Sequence, residues 1–241
     1  MQEIATFLSQ RGAFIRRITI VDDSNRAIAE TLTEALSRGT RLVVTVGGLG
    51  PMKDDRTMVA VADALQVPLA FNTHAKEMVE EAYRRLHRQR VVSKNGLTLA
   101  REKMCSLPLG SEPIPNAAGV PPGVLARIAG GIGILSLPGT PAEMRAVLEA
   151  AMQQLKDLAP RGVLARREVE TPTSDESSLR PLLDTLSLEF PSIWIQSHTP
   201  GFEVKNAKVR VSIEAGAADK QEAEALVEDA LRRLLALAAG A

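Results

Sequence analysis

The stretch 42–57, LVVTVGGLGPMKDDRT, restricts what this chain can become more than any other. Leu42–Val46 is short, apolar and rich in β-branched side chains, which suits a buried strand and is too short for a helix. Gly47, Gly48 and Gly50 then leave backbone without Cβ atoms past the strand's carboxyl end, so the chain can turn sharply and its N–H groups can approach a ligand. Asp54 and Asp55 open a segment with Met58, Val59, Ala62 and Leu65 at helical spacing. Strand, glycine turn and helix N-terminus in that order form an anion site, because unpaired N–H groups and the positive end of the helix dipole converge there. The Gly-Lys-Ser/Thr ending of a Walker A loop is absent.

Two carboxylates beside such a loop should repel a phosphate, and a divalent cation would resolve the conflict. Mg²⁺ is commonly held by one or two carboxylates together with substrate phosphate oxygens, which makes Asp54 and Asp55 candidate metal ligands. A purely structural role competes on equal terms: Asp54 suits a helix N-cap and Asp55 a first turn.

The remaining chain reads as alternating elements. Ile4, Phe7 and Leu8 have the spacing of a packed helix, and Gly12 sits at its C′ position. Residues 13–21 predict a strand. Ser24 or Asp23 caps a helix burying Ile28, Leu32, Ala35 and Leu36, and the glycine-bounded strand follows. This order indicates an α/β domain with a parallel sheet. Residues 73–88 predict a helix with Ala75, Met78, Val79, Ala82 and Leu86 inward, and with His74 and His87 solvated for want of partners at metal-ligand spacing. Residues 124–128 and 132–137 predict strands around Gly130-Gly131. Thr140-Pro141-Ala142-Glu143 forms a capping box in which glutamate reaches back to the cap's N–H.

Three stretches carry a family resemblance. Gly47-Gly48-Leu49-Gly50-Pro51 with Asp54-Asp55 and Thr57 resembles the GGxGPTxDDxT signature of the CinA family, whose amino-terminal part belongs to the MoaB/Mog molybdopterin-binding superfamily. In order, NAAGVPPG (116–123) is similar to that family's NPxGTAPG, and LPGTPAEM (137–144) to its LPGxPxEM. The resemblance implies a three-layer, parallel-sheet MoaB/Mog-like α/β domain over residues 1–159 and a small α+β KH-like domain over 163–241. It further implies phosphate or ligand contacts at Gly47, Gly48, Leu49, Gly50, Thr57, Asn116, Gly119 and Gly139, with Asp54 and Asp55 as catalytic metal ligands for Mg²⁺ or Co²⁺.

Two departures stand out. Met52 replaces the family's threonine, and Met1 falls inside the first helix, so the family's opening strand and Gly-Asp-Glu turn are expected to be missing. A start assigned downstream of the true one or a truncated chain, taken together, explains this better than divergence with loss of the strand, which would bare neighbouring backbone groups. Arg101 and Lys103 either reach a phosphate or are solvated charges, and Asn116 either offers its side-chain amide to a ribose or pterin or shapes a rigid crossover.

A boundary is expected at 159–162, APRG. Beyond it the order is strand (163–170), helix, strand, strand, helix. Thr173 and Glu176 suggest a capping box for a helix with Leu179, Leu182, Leu183 and Leu186 inward. Strands at 193–195 and 204–213 flank a turn at 199–201, His198 is read as a turn histidine, and the last helix (220–237) buries Ala223, Leu226, Val227, Ala230 and Leu234. No Gly-x-x-Gly clamp lies in this region, which argues against RNA.

With 29 basic and 29 acidic residues there is no global field to draw nucleic acid or a membrane, so any anion site must be local. The single Cys105 excludes an intramolecular disulfide, and the lack of an export signal or apolar span suggests a cytoplasmic protein. The resemblance implies a homo-oligomer acting on a nucleotide sugar or pterin phosphate, through metal-dependent hydrolysis of ADP-ribose-type pyrophosphates. Molybdopterin binding without turnover and an inactive scaffold are the alternatives.

Overall fold

The computed structural model describes residues 2–9, 13, 15–155, 163–199, 207–217 and 219–239. Two compact units result, Met1–Ile4 with Arg16–Ala159 and Ala5–Ile15 with Pro160–Ala241. The boundary expected at 159–162 and the C′ position at Gly12 lie outside the described residues.

Helix α1 (Gln2–Ser9) buries Ile4 and Leu8 as its spacing predicts. The strand expected at 13–21 does not form among the described residues, 13 and 15–21. Ala13 donates its N–H to the Leu8 carbonyl, residues 15–21 are irregular, and Ile18 and Ile20 are 54% and 90% exposed. Alternating β-branched residues express a strand preference only against a neighbouring strand. Here Arg17 is tied instead to Glu34, 2.9 Å away on helix α2 (Asn25–Ser37). The Ser24 hydroxyl caps α2 by accepting the Ala27 N–H, and α2 buries Leu32 and Ala35.

The first unit continues through β1 (Leu42–Val46), α3 (Thr57–Leu65), β2 (Leu69–Phe71), α4 (Thr73–Arg88), α5 (Leu99–Glu102) and a 3₁₀ turn at Lys103–Cys105. It is completed by β3 (Ser106–Pro108), β4 (Glu112–Ile114), β5 (Gly123–Ile128), β6 (Ile132–Leu137) and α6 (Pro141–Ala151). Its main sheet runs β1-β6-β5-β4, while β2 and β3 pair separately. β1 and β6 are parallel, with Leu42 opposite Gly133 and Val46 opposite Leu137. β5 and β6 form the expected hairpin through Gly130 and Gly131, and β4 is antiparallel to β5. The sheet is thus mixed, and its parallel pair is the one that leads into the glycine turns. Leu32, Val61, Ala126 and Ile134 form one apolar cluster, and Ala75, Val79, Met104, Cys105, Leu107 and Val124 another. Burial, helped by the Glu102 and Glu80 carboxylates, pushes the Cys105 thiol up to about 11, which disfavours the thiolate.

The second unit holds an antiparallel sheet in the order β7 (Val163–Glu170), β9 (Arg210–Ala217), β8 (Ile193–His198). Helices α7 (Arg180–Glu189) and α8 (Lys220–Ala239) contribute Leu186, Ala223, Val227, Ala230 and Leu234 to its core. The capping box expected from Thr173 and Glu176 is replaced. A 3₁₀ turn at Glu176–Leu179 is capped by Asp175, whose carboxylate accepts the Ser177 N–H at 2.9 Å. Glu176 instead accepts the Ser197 and Thr199 hydroxyls, which hold its carboxyl below the usual range. His198 ends β8 rather than lying in the turn, and its Nε2 is 2.9 Å from the Ser212 hydroxyl.

Candidate functional site

The site is built where the parallel strands end. Past Val46, the Gly47 N–H still reaches the Leu137 carbonyl at 2.9 Å, which continues the ladder one residue beyond the strands. The chain then leaves the sheet through two successive positive-φ residues, Gly47 (91°) and Gly48 (70°), a conformation that a Cβ would strain. Gly139, just after β6, meets Gly47 here: a Cβ built on it would lie 3.6 Å from the Gly47 Cα. The first and third motifs, far apart in the chain, are therefore neighbours at the carboxyl edge of the sheet. That edge is where open α/β sheets take their ligands.

The glycines divide by what surrounds them. A Cβ on Gly48 would sit 2.2 Å from the Thr57 hydroxyl, and one on Gly50 2.6 Å from an Asp55 carboxylate oxygen. Packing within the loop thus requires glycine at both positions. A Cβ on Gly47 would meet nothing within 4 Å, so the side of the loop it faces is open. Thr57 is buried, donating its hydroxyl to the Gly47 carbonyl at 2.8 Å and its N–H to the Gly48 carbonyl at 3.2 Å. It braces the loop from behind. Leu49 is buried too and anchors the bend by its side chain.

The aspartates precede the helix rather than opening it. α3 starts at Thr57 with Arg56 as its N-cap and no side-chain cap, so neither Asp54 as N-cap nor Asp55 as first-turn residue holds. The Asp55 carboxylate accepts the Met52 N–H at 2.8 Å, and the Asp55 N–H returns to the Met52 carbonyl at 3.3 Å. This locally closed turn satisfies backbone groups that a helix starting at Asp55 would have satisfied otherwise. Asp54 is exposed. Among the described residues no three His, Cys, Asp or Glu side chains gather as a metal site. Two adjacent carboxylates, one already bound to backbone, do not make a resident cage; they fit a cation only if it brings phosphate oxygens with it.

Asn116 is committed to its own loop. Its side-chain N–H groups go to the Pro121 carbonyl (2.9 Å) and the Glu143 carboxylate (3.1 Å), and its side-chain oxygen accepts from Ala118 (3.1 Å) and Gly119 (3.0 Å). Both donors and both lone pairs are used, so the amide expected to face a ribose or pterin holds the crossover instead. Gly119 is pressed against Glu143, and its carbonyl accepts from Arg85 at 3.0 Å. Glu143 itself bonds the Thr140 hydroxyl at 2.6 Å, while the Glu143 N–H donates back to that hydroxyl at 3.4 Å. The capping box is present, but its carboxylate reaches the hydroxyl and Asn116, tying the second motif to the third.

Arg101 and Lys103 are half-buried, and the charged group of each is committed to partners in the protein. Arg101 lies 3.4 Å over the Tyr83 ring and donates to the Lys94 carbonyl at 3.1 Å. The Lys103 ammonium donates to the Met52 carbonyl and, at 2.6 Å, to the Asp55 carbonyl, clasping the aspartate turn at both ends. Sequence reasoning missed this clasp and the roles of Arg85 and Glu143, because each spans dozens of residues with no local pattern. The Asn116 turn was within reach, since an asparagine two or three residues before a small-residue turn commonly accepts from the backbone ahead of it.

An α/β domain with glycine turns after a parallel strand pair is an architecture on which small-molecule anion sites are built. The sequence profile of the probable molybdopterin binding domain matches residues 1–157, and the chain belongs to that family. It is similar to the crystal structure of the protein CinA from Thermoplasma acidophilum at 33% identity and a TM-score of 0.56, over 64% of this chain and 85% of that one. A protein of Caldivirga maquilingensis is 35% identical over 98% of this chain and 88% of its own length. One from Pyrobaculum aerophilum is 36% identical over 97% and 85%. Among the described residues no helix is long and apolar enough to cross a membrane.

Proposed function

We propose that the first unit binds the phosphate of a phosphorylated pterin of the molybdopterin type in the Gly47–Gly50 loop. The observation that carries this reading is the meeting of Gly47 and Gly139 at the carboxyl ends of β1 and β6, with open space on the Gly47 side. Backbone N–H groups of the loop past Gly47, whose own N–H goes to Leu137, donate to the phosphate oxygens and the N-terminus of α3 adds its dipole, while Thr57 and Leu49 keep the loop from relaxing. Pre-organisation of this kind lowers the ordering cost of binding. Family membership supports the pterin over other phosphate esters.

A second reading is supported by Asp54, whose carboxylate is exposed one residue from Asp55. Asp54 and Asp55 would hold a Mg²⁺ or Co²⁺ ion arriving with an ADP-ribose-type pyrophosphate, and the ion would supply charge stabilisation for anhydride hydrolysis. In that case the chain's own contribution is to hold the anhydride on the glycine loop.

Calorimetry with a pterin monophosphate and with ADP-ribose, each with and without Mg²⁺ or Co²⁺, separates the readings. Metal-independent pterin binding without turnover is expected. Consumption of ADP-ribose that Asp55→Asn abolishes, with the melting temperature unchanged, would establish the second reading instead. Absence of binding by either ligand would defeat both.

A further inference from the structure

From the clasp described above we infer that Lys103 is the built-in countercharge of the phosphate loop, so that anion binding there needs no divalent ion. The inference rests on the loop being a phosphate site and says how that site manages its own acidic residues. The Lys103 ammonium comes from 48 residues beyond Asp55 to donate to its carbonyl at 2.6 Å, and it also donates to the Met52 carbonyl. Between these two residues lies the turn that the Asp55 carboxylate closes from within by accepting the Met52 N–H. The ammonium is therefore fixed on the segment that carries both carboxylates.

Three features make this a designed charge rather than a chance contact. The partners are two backbone carbonyls, so the lysine's charge is not consumed by an ion pair and stays available to offset Asp54 and Asp55. A lysine has three donors and two are committed, which leaves one. Finally, the Asp55 carboxylate packs against Gly50, so a charge that offsets it acts directly beside the phosphate-facing backbone. Lys53 and Arg56 are exposed members of the same segment and add to the positive side, but only Lys103 is anchored by its charged group to both ends of the turn.

The proposal is tested with inorganic pyrophosphate as the probe, titrated into the full chain in EDTA and again in Mg²⁺, while amide shifts of Gly47, Gly48 and Gly50 are followed. Wild type should bind equally well in both. Lys103→Met should bind about tenfold more weakly in EDTA, since a unit charge near the loop is worth at least that at intermediate dielectric, and should recover in Mg²⁺. Lys103→Arg should match wild type. Lys103→Gln keeps donors without the charge, so weak binding by it separates electrostatics from bracing, and it serves also if Lys103→Met does not fold. Binding by wild type only with Mg²⁺, or unaltered binding by Lys103→Gln in EDTA, overturns the inference while leaving the phosphate site standing. No glycine shift under either condition overturns the phosphate site itself, and the inference falls with it.

Discussion

Two glycine-bearing loops border the carboxyl edge of the sheet, and they solve different problems. In the 116–121 loop every polar group of Asn116 is spent on the protein, and Gly119 is hemmed in by Glu143. In the 47–50 loop the bracing comes from behind, through Thr57 and Asp55, and the Gly47 face is left open. On the proposed function the first loop is scaffold and the second the receptor. What distinguishes them is not their glycine content: Asn116 claims the Ala118 and Gly119 N–H groups, whereas past Gly47, whose N–H goes to the Leu137 carbonyl, the 47–50 loop is braced through its carbonyls.

Substitutions can break or sharpen this contrast. The largest effect is expected for Gly48→Ala, which combines positive-φ strain with a clash against Thr57. It should lower stability by about 3 kcal/mol in denaturant unfolding and release the Gly47 carbonyl. Asn116→Ala should come next, at about 2 kcal/mol, because two loop N–H groups and the Glu143 carboxylate lose their partner. Its ligand affinity should nonetheless stay within twofold of wild type, and a larger loss would make 116–121 part of the receptor. Gly139→Ala should change stability by only about 0.5 kcal/mol, as its methyl meets Gly47 at an ordinary contact distance. That methyl would sit 3.6 Å from the Gly47 Cα, at the bend proposed to take the phosphate, so affinity measured by calorimetry should drop about tenfold. Stability and affinity are thus expected to rank these variants differently.

The legible part of the fold was what periodicity and turn chemistry encode. The Gly130-Gly131 hairpin, the Ser24 and Thr140 caps, and the buried faces of α2, α4 and α8 all follow from local spacing. The strand expected at 13–21 failed because its Ile-rich alternation is a preference that a partner strand must realise, and none is paired with it among the described residues. The caps expected at Asp54 and Thr173 failed for a shared reason. Asp55 and Asp175 each satisfy nearby backbone more closely, and a competing local hydrogen bond decides a cap when several candidates are adjacent. At the site, the first and third motifs were each readable, but their meeting at Gly47 and Gly139 depends on the parallel register of β1 and β6. The Lys103 clasp depends on a contact across 48 residues that no spacing rule anticipates.

The claim at the centre is that the open bend after β1, and not the crossover at 116–121, receives the phosphate. Amide chemical shifts recorded while a pterin monophosphate is titrated into the protein test this most directly. The Gly47, Gly48 and Gly50 signals should move together and saturate, while those of Ala118 and Gly119 stay in place. Movement confined to Ala118 and Gly119, with the three glycines unmoved at saturating ligand, would contradict it.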